Sequence, residues 1–372
     1  MAELFKDLYS KKFFAILSEA LNEVVSDFNQ EQFIDDIYDS KWKSKEFKQR
    51  MYHVSFVLNN YLSDNFPKAV EQLHELIAEL KAMNINQEVK YAELALIFIP
   101  DYIEHNGLDD FDTSVAAFEK ITPTTTCEFA VRPFIIKYEN KMLDRMLAWT
   151  QHDNEHVRRL ASEGSRSRLP WGMAIQMLKQ KPKPVLPILE VLKNDPSEYV
   201  RKSVANNIND ISKDNPQLVI DIAKQWKGQS KETDWVVKHA CRTLLKAGNT
   251  EILKLFGFAS PDDIEISKLE LEKETISLGE DLLFKFVLNN VSEQELLLRL
   301  EYAIYYQKKN GSLSKKVYKI SEKKYVPNSL SNISRKQSFK QISSRTFHAG
   351  EHVLSLIVNG IEMEERTFEL KL

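Results

Sequence analysis

Near residue 259 the spacing of apolar residues changes, and with it what the chain can fold into. Upstream, Phe13, Phe14, Leu17, Leu21 and Val24 recur at steps of three and four. So do Phe47, Met51, Val54, Val57, Leu58 and Tyr61, and again Val70, Leu73, Leu76, Ile77 and Leu80. Each set makes one apolar stripe on a helix. Only Gly107 precedes Gly164, and a helix interior disfavours glycine by about 1 kcal/mol per residue, so the first 160 residues are predicted to be mostly helical. Pro67 fits the first turn of the third stripe, where its missing N–H costs nothing. Downstream of the linker-like run F-A-S-P-D-D the period becomes two. Strands are predicted around Ile264 to Leu269, Leu283 to Leu288, Leu296 to Tyr306, Val317 to Ile320, Val353 to Val358 and Thr367 to Leu370, with Lys309-Asn310-Gly311-Ser312 as a turn. An all-helical stretch followed by an all-β stretch means separate domains. The expected boundaries are 1–258 and 259–372, the second an antiparallel immunoglobulin-like sandwich.

Within the helical part, residues 128–258 carry an imperfect repeat. D-N-E-H-V-R-R-L-A-S-E starts at Asp153, D-P-S-E-Y-V-R-K-S-V-A-N at Asp195, and a looser copy, D-W-V-V-K-H-A-C-R, at Asp234. A helix pair roughly every 40 residues is the spacing of HEAT-like repeats, which stack into an α-α superhelix. Asp153, Asp195 and Asp234 are predicted N-caps. The arginine after each valine either braces the neighbouring repeat or reaches a phosphate, and the sequence leaves both open.

Charge sharpens this picture. The whole chain has a net charge of −3, with 51 basic and 54 acidic residues. Residues 1–123 hold 12 basic and 22 acidic side chains, residues 124–258 hold 22 and 15, and the remainder is balanced. Local field rather than net charge steers a polyanion, so a basic repeat region in a near-neutral chain points to nucleic acid. Other classes fall away. Cys127 and Cys241 form no CxxC and no disulfide framework. No apolar run of about 18 residues predicts a membrane span, and the first residues lack a signal-peptide pattern, so a cytoplasmic protein with no membrane association is expected. GxGxxG, Walker A and GxSxG runs are absent. His152 and His156 stand four apart, but H-D-N-E-H is not HExxH and a capping turn is expected between them, so no metal site and no cofactor are expected.

The densest unusual stretch is 156–172, H-V-R-R-L-A-S-E-G-S-R-S-R-L-P-W-G. It combines four arginines, Glu163, a predicted C-cap at Gly164, and Trp171 near the start of a further helix. Arginines hold phosphates, an aromatic face attracts a cation, and an acid opposes positive charge, so the set suits a cationic base on a polyanion. A loop stapled by a structural Glu–Arg pair with a packed tryptophan accounts for the same residues.

Four runs resemble the AlkC family of alkyl-base DNA glycosylases, relatives of the AlkD HEAT-like glycosylases. They are E-F-A-V-R-P-F (128–134), V-R-R-L-A-S-E-G-S-R-S-R-L-P-W-G (157–172), V-R-K-S-V-A-N-N-I-N-D-I-S-K-D-N-P (200–216) and H-A-C-R-T-L-L-K-A-G (239–248). The similarity extends to K-E-F-K-Q-R-M (45–51) and to the C-terminal immunoglobulin-like domain that some members carry. Ser167 departs from the family pattern, which reads R-P-R-L-P-W. The resemblance implies a monofunctional glycosylase of base excision repair that removes cationic N3-methylated bases, 3-methyladenine above all and also 3-methylcytosine, from double-stranded DNA without full base flipping. It implies catalytic roles for Asp210, Glu163, Glu128 and Trp171, with Arg159 close by. Arg132, Arg158, Arg159, Arg166, Arg168, Arg201, Lys202, Lys238 and Arg242 are the basic residues expected to track phosphates. The basic run K-K-N-G-S-L-S-K-K (308–316) is a further DNA contact if the β domain holds DNA. A monomer with no obligate protein partner is expected. The competing expectation is a HEAT-like scaffold that binds DNA or protein without catalysis; carboxylates on a basic face argue against it, since a simple clamp gains nothing from like charge near phosphates.

Overall fold

The structure is a computed structural model, and it describes residues 5–342 and 345–372. The chain forms two compact units. One comprises residues 1–215 and 227–240, the other 216–226 and 241–372.

In the first unit the apolar stripes close a helical core. Phe13, Phe14, Leu17, Leu21, Phe47, Met51, Val54, Leu73, Leu76 and Leu80 are all buried, each worth roughly 1.5–3 kcal/mol in transfer free energy. Helix starts follow local chemistry. Ser10 accepts the N–H of Phe13 to open Lys11–Val24, Asn65 accepts from Lys68 to open Phe66–Ala82 with Pro67 in its first turn, and Asp110 accepts from Thr113 to open Phe111–Ile121. The repeat helices Glu155–Gly164, Glu198–Ile211 and Lys231–Ala240 pack side by side in that order. Val157, Leu160, Val200, Val204, Ile208, Val236 and Val237 fill the seams between them.

The predicted caps need correction. Asn154, not Asp153, caps Glu155–Gly164 by accepting from His156. Asp195 stands two residues before its helix's N-cap, Ser197, where it accepts the Ser197 N–H and takes the guanidinium of Arg158. Asp234 lies inside the Lys231–Ala240 helix and accepts the Gly228 N–H. A short polar side chain within a turn of a helix start has several donors in reach, and neighbouring repeats decide which it takes. Gly164 is not a left-handed cap either. It is the last residue of its helix, and a Cβ there would stand 2.6 Å from Val131 Cγ2, so its role is close packing.

In the second unit the helices Pro216–Trp226, Arg242–Lys246 and Thr250–Leu255 accompany eight strands. These are β1 (Ile264–Leu271), β2 (Thr275–Ser277), β3 (Asp281–Asn290), β4 (Leu296–Gln307), β5 (Leu313–Tyr325), β6 (Ser329–Ser338), β7 (Gly350–Val358) and β8 (Ile361–Lys371). They form sheets β1-β3-β6 and β2-β8-β7-β4-β5, antiparallel except for the β2–β8 pair. Phe284, Phe286, Leu298, Leu300, Ile304, Phe339, Leu356 and Phe368 belong to the sandwich core. Asn359 and Gly360, with φ of 46° and 79°, make the tight β7–β8 hairpin that an Asn-Gly pair favours. A Cβ on Gly360 would meet Gly248 Cα at 2.1 Å, and Asn359 Nδ2 donates to Ala259 O at 2.6 Å. These contacts tie the helices just before the strands to the sandwich. The compact unit therefore begins ahead of residue 259, near which the periodicity changes.

Candidate active site

Three carboxylates and two arginines alternate through the repeat region. Glu128 lies just before the Val131–Tyr138 helix, Glu163 on the last turn of Glu155–Gly164, and Asp210 on the last turn of Glu198–Ile211. Arg159 donates to Glu128 Oε2 at 2.5 Å and lies 3.5 Å from Glu163 Oε1. Arg166 donates to Glu163 Oε1 at 2.6 Å and to Asp210 Oδ2 at 2.7 Å. Lys213 ends the row on Asp210 Oδ1 at 2.8 Å. Ser203 donates to Glu163 Oε2 at 2.6 Å, across from the next repeat.

Glu163 and Asp210 are almost fully buried. A buried carboxylate without a partner is strongly disfavoured, and a satisfied chain of pairs fixes geometry instead. Burial works against the charges of Arg159 and Arg166, and the adjacent carboxylates more than offset it. Both guanidinium groups are therefore held above their ordinary pKa. Arg159 also lies under the Tyr199 ring, 5.0 Å from its centroid. A cavity of about 330 Å³ opens beside Glu128 and Arg159, lined in part by Tyr199, His156 and Thr124.

Trp171 is not in a helix. It occupies a turn five residues before the Gln176–Gln180 helix, with φ +64° and its side chain half exposed. Such backbone costs a non-glycine residue roughly 1–3 kcal/mol and persists only where the surroundings impose it. Arg132 supplies part of that constraint, donating from Nε to Met173 O at 2.6 Å and from Nη1 to Gly164 O at 3.0 Å. Burial, then the neighbouring Arg166 charge, lowers the Arg132 pKa to about 10. Phe5 meets the indole edge-on at 5.7 Å, and Phe47 lies tilted against it at 6.2 Å.

The basic residues expected on phosphates divide. Arg132 is fully buried and committed to backbone carbonyls, so in this conformation it presents no charge to DNA, which corrects that expectation. Arg158 holds Asp195 with two bonds, and Arg201 donates to the carbonyls of Asp195 and Pro196. Arg158 thus braces the neighbouring repeat, one of the two roles that the sequence left open, whereas Arg201 ties down the start of its own repeat. Arg166 is buried between Glu163 and Asp210. Arg168 is partly exposed and pairs with Asp214, while Lys202 is more exposed and pairs with Glu198. Lys238 is exposed on the Lys231–Ala240 helix, and Arg242 opens a helix of the other unit. The 308–316 run lies at the β4–β5 hairpin, with Gly311 at φ +78°.

Tyr199, Ser203, Lys213 and Lys48 belong to this region and were not singled out by sequence. Lys213 had a signal, standing three residues after Asp210 on one helix face. Tyr199 had a weaker one, preceding Val200-Arg201 as His156 precedes Val157-Arg158. Lys48 lay within the family-like run 45–51, but nothing local pointed to its partner, a backbone oxygen 123 residues away. Among the described residues no group of three His, Cys, Asp or Glu side chains is arranged to hold a metal ion, and no helix is long and apolar enough to cross a membrane.

Comparison with known proteins gives the family. A family model described as DNA alkylation repair enzyme matches residues 53–244, and one described as the C-terminal Ig-like domain of YhaZ matches residues 265–372. A Bacillus subtilis (strain 168) protein named YhaZ is 41% identical over 370 residues, which is 100% of both chains. The Pseudomonas fluorescens alkylpurine DNA glycosylase AlkC, solved bound to DNA containing an abasic site analogue, is 32% identical over 100% of both chains with a TM-score of 0.92. The chain thus belongs to the DNA alkylation repair enzyme family, in a form that joins an AlkC-like helical region to a C-terminal Ig-like domain.

Proposed function

We propose that this chain is a monofunctional DNA glycosylase that hydrolyses the N-glycosidic bond of cationic N3-methylated bases, 3-methyladenine first and 3-methylcytosine second. The observation that carries the reading is the buried Glu163–Arg166–Asp210 bridge, with an exposed tryptophan five residues after Arg166. The full-length likeness to a glycosylase seen on abasic-site DNA supports it.

The chemistry fits these groups. A base methylated at N3 already carries a positive charge, so it leaves without strong acid catalysis. As the bond breaks, positive charge builds on the sugar toward an oxocarbenium ion, and a fixed carboxylate stabilises it and orients the attacking water. Asp210 is assigned this role first, Glu163 second and Glu128 third, with Trp171 stacking on the lesion or touching the sugar. Arg166 keeps Asp210 and Glu163 in place, so little reorganisation is needed when the charge appears. Lys213 covers the second Asp210 oxygen from a side chain that is itself half exposed. A DNA phosphate that attracts Lys213 would uncover that carboxylate. The partner is double-stranded DNA, bound by a single copy of the chain, and excision proceeds with the lesion not fully flipped. Arg159, Arg168, Lys202, Lys238 and Arg242 contribute positive charge toward phosphates. Residues 1–258 supply the excision machinery, and the immunoglobulin-like residues 259–372 add to the hold on DNA.

The decisive measurement is base release from methylated duplex DNA by the purified protein. Release of free 3-methyladenine well above the spontaneous rate is expected. Release no faster than the protein-free control overturns the glycosylase reading in favour of a non-catalytic DNA-binding scaffold.

A further inference from the structure

The turn that carries Trp171 is held from several sides, and one support comes from far away in the sequence. Lys48 lies on the Phe47–Leu58 helix and donates from Nζ to the backbone oxygen of Trp171 at 2.8 Å. The same ammonium lies 5.4 Å from the centroid of the Phe129 ring, the residue after Glu128, and 5.4 Å from that of Tyr52. One charged group therefore meets both the segment that carries Glu128 and the turn that carries Trp171. The carboxylates of Asp101 and Glu104, on the Phe98–Gly107 helix, lie close enough to attract it electrostatically.

A left-handed turn at a tryptophan needs its surroundings to impose it. Arg132 fixes the carbonyls of Gly164 and Met173 on either side. Phe5 and Phe47 position the ring. The Trp171 carbonyl itself is taken by Lys48. A neutral side chain of similar length keeps the packing but supplies neither the donor nor the attraction to the ring faces. An arginine supplies both.

We propose that Lys48 is a positioning residue for excision: by holding the Trp171 carbonyl and facing the Phe129 ring it fixes the Trp171 turn relative to the segment that carries Glu128, and its loss slows the bond-breaking step without weakening DNA binding. This rests on the glycosylase reading above. Small misplacements of positioning groups cost up to about 100-fold in rate, so a loss of about tenfold or more is expected.

The test compares Lys48→Met and Lys48→Arg with the unaltered protein. Three quantities are measured: the single-turnover excision rate at saturating protein on 3-methyladenine DNA, the Kd for undamaged duplex, and acrylamide quenching of Trp171 emission. The last is taken as the difference from matched Trp171→Phe proteins. Expected for Lys48→Met is the tenfold or greater rate loss, a Kd within twofold, and altered quenching of Trp171. Lys48→Arg is expected within about threefold of the original rate. If Lys48→Met does not fold, Lys48→Leu, which also lacks a donor, is measured in its place with the same criteria. A rate within twofold of the original overturns the proposal, as does a defect that disappears at saturating protein, which would mark Lys48 as a phosphate contact. If the unaltered protein releases no base, the glycosylase reading fails by itself. The quenching still decides whether Lys48 holds Trp171, and unchanged quenching overturns that.

Discussion

Each compact unit buries an arginine between two carboxylates, and the two arrangements differ in what surrounds them. In the repeat unit Arg166 joins Glu163 and Asp210, and five residues further on the chain makes a left-handed turn at a tryptophan with an exposed indole. In the β unit Arg299 joins Glu301 at 2.6 Å and Glu322 at 3.3 Å on the strands β4 and β5. There the chain is extended strand with a register shift between Leu300 and Glu301 but no left-handed residue, and Glu301 is fully buried. Burial of charge alone therefore does not mark a reaction site. The mark is burial of charge together with strained backbone and an exposed aromatic, because strain and exposure are costs that packing does not require.

Removing the cation from each network should separate the two roles. Arg299→Met leaves Glu301 buried without its counter-charge, and a loss of about 3–5 kcal/mol in stability is expected. Chemical denaturation checks it, and excision per folded molecule should be unchanged. A loss below about 1 kcal/mol would show that this pair is not what fixes the sheet. Asp210→Asn is expected to lower the excision rate about 10²–10³-fold, the usual worth of one preorganised charge, or about 3–4 kcal/mol of barrier. The change should appear in single-turnover rate far more than in DNA affinity. Full activity in a normally binding Asp210→Asn protein would remove Asp210 from the catalytic set.

The smallest effect concerns a third set of acids, beside Lys48. Burial pushes the Asp101 carboxyl up to about 6, and burial followed by the Asp101 charge pushes Glu104 up to about 7, from ordinary values of 3.8 and 4.5. The folded state thus holds protons that the unfolded chain releases. Their contribution to stability is complete below about pH 4 and is lost as the pH rises through 6 to 7. The double variant Asp101→Asn, Glu104→Gln should flatten that fall and raise Tm at pH 8 by about 2–4 °C, the size of a 1 kcal/mol change in a domain this large. Melting curves from pH 4 to 8 check it. An unchanged slope would mean these acids titrate normally.

Much of the fold was legible because the signals are local. The stripes at 13–24, 47–61 and 70–80 place their inward residues correctly except at the ends, where Val24 and Tyr61 are only half-buried, since helical period decides which face is buried. The strand runs fall inside β1, β3, β4, β5, β7 and β8. β2 and β6 were missed, one being three residues long and the other mostly exposed and polar. β8 begins at Ile361, six residues before the predicted run, and the Asn359-Gly360 pair carried the signal for that start. The caps were misread because a choice among Asn154, Asp195 and their neighbours depends on donors from adjacent repeats.

The site divides along the same line. Sequence by itself determined which residues were eligible: an acid at a helix end, arginines in one loop, a tryptophan after proline, and a basic repeat region in a near-neutral chain. Those follow from composition and spacing, which are properties of the chain alone. Only the tertiary structure decided that Arg166 joins Glu163 to Asp210, that Arg132 is a buried brace, and that Lys48 reaches Trp171. The physical reason is range. Periodicity reports neighbours within a turn or two, whereas these pairs lie 32 to 123 residues apart except for Glu163 and Arg166, and tertiary packing is what brings their polar groups within hydrogen-bond distance.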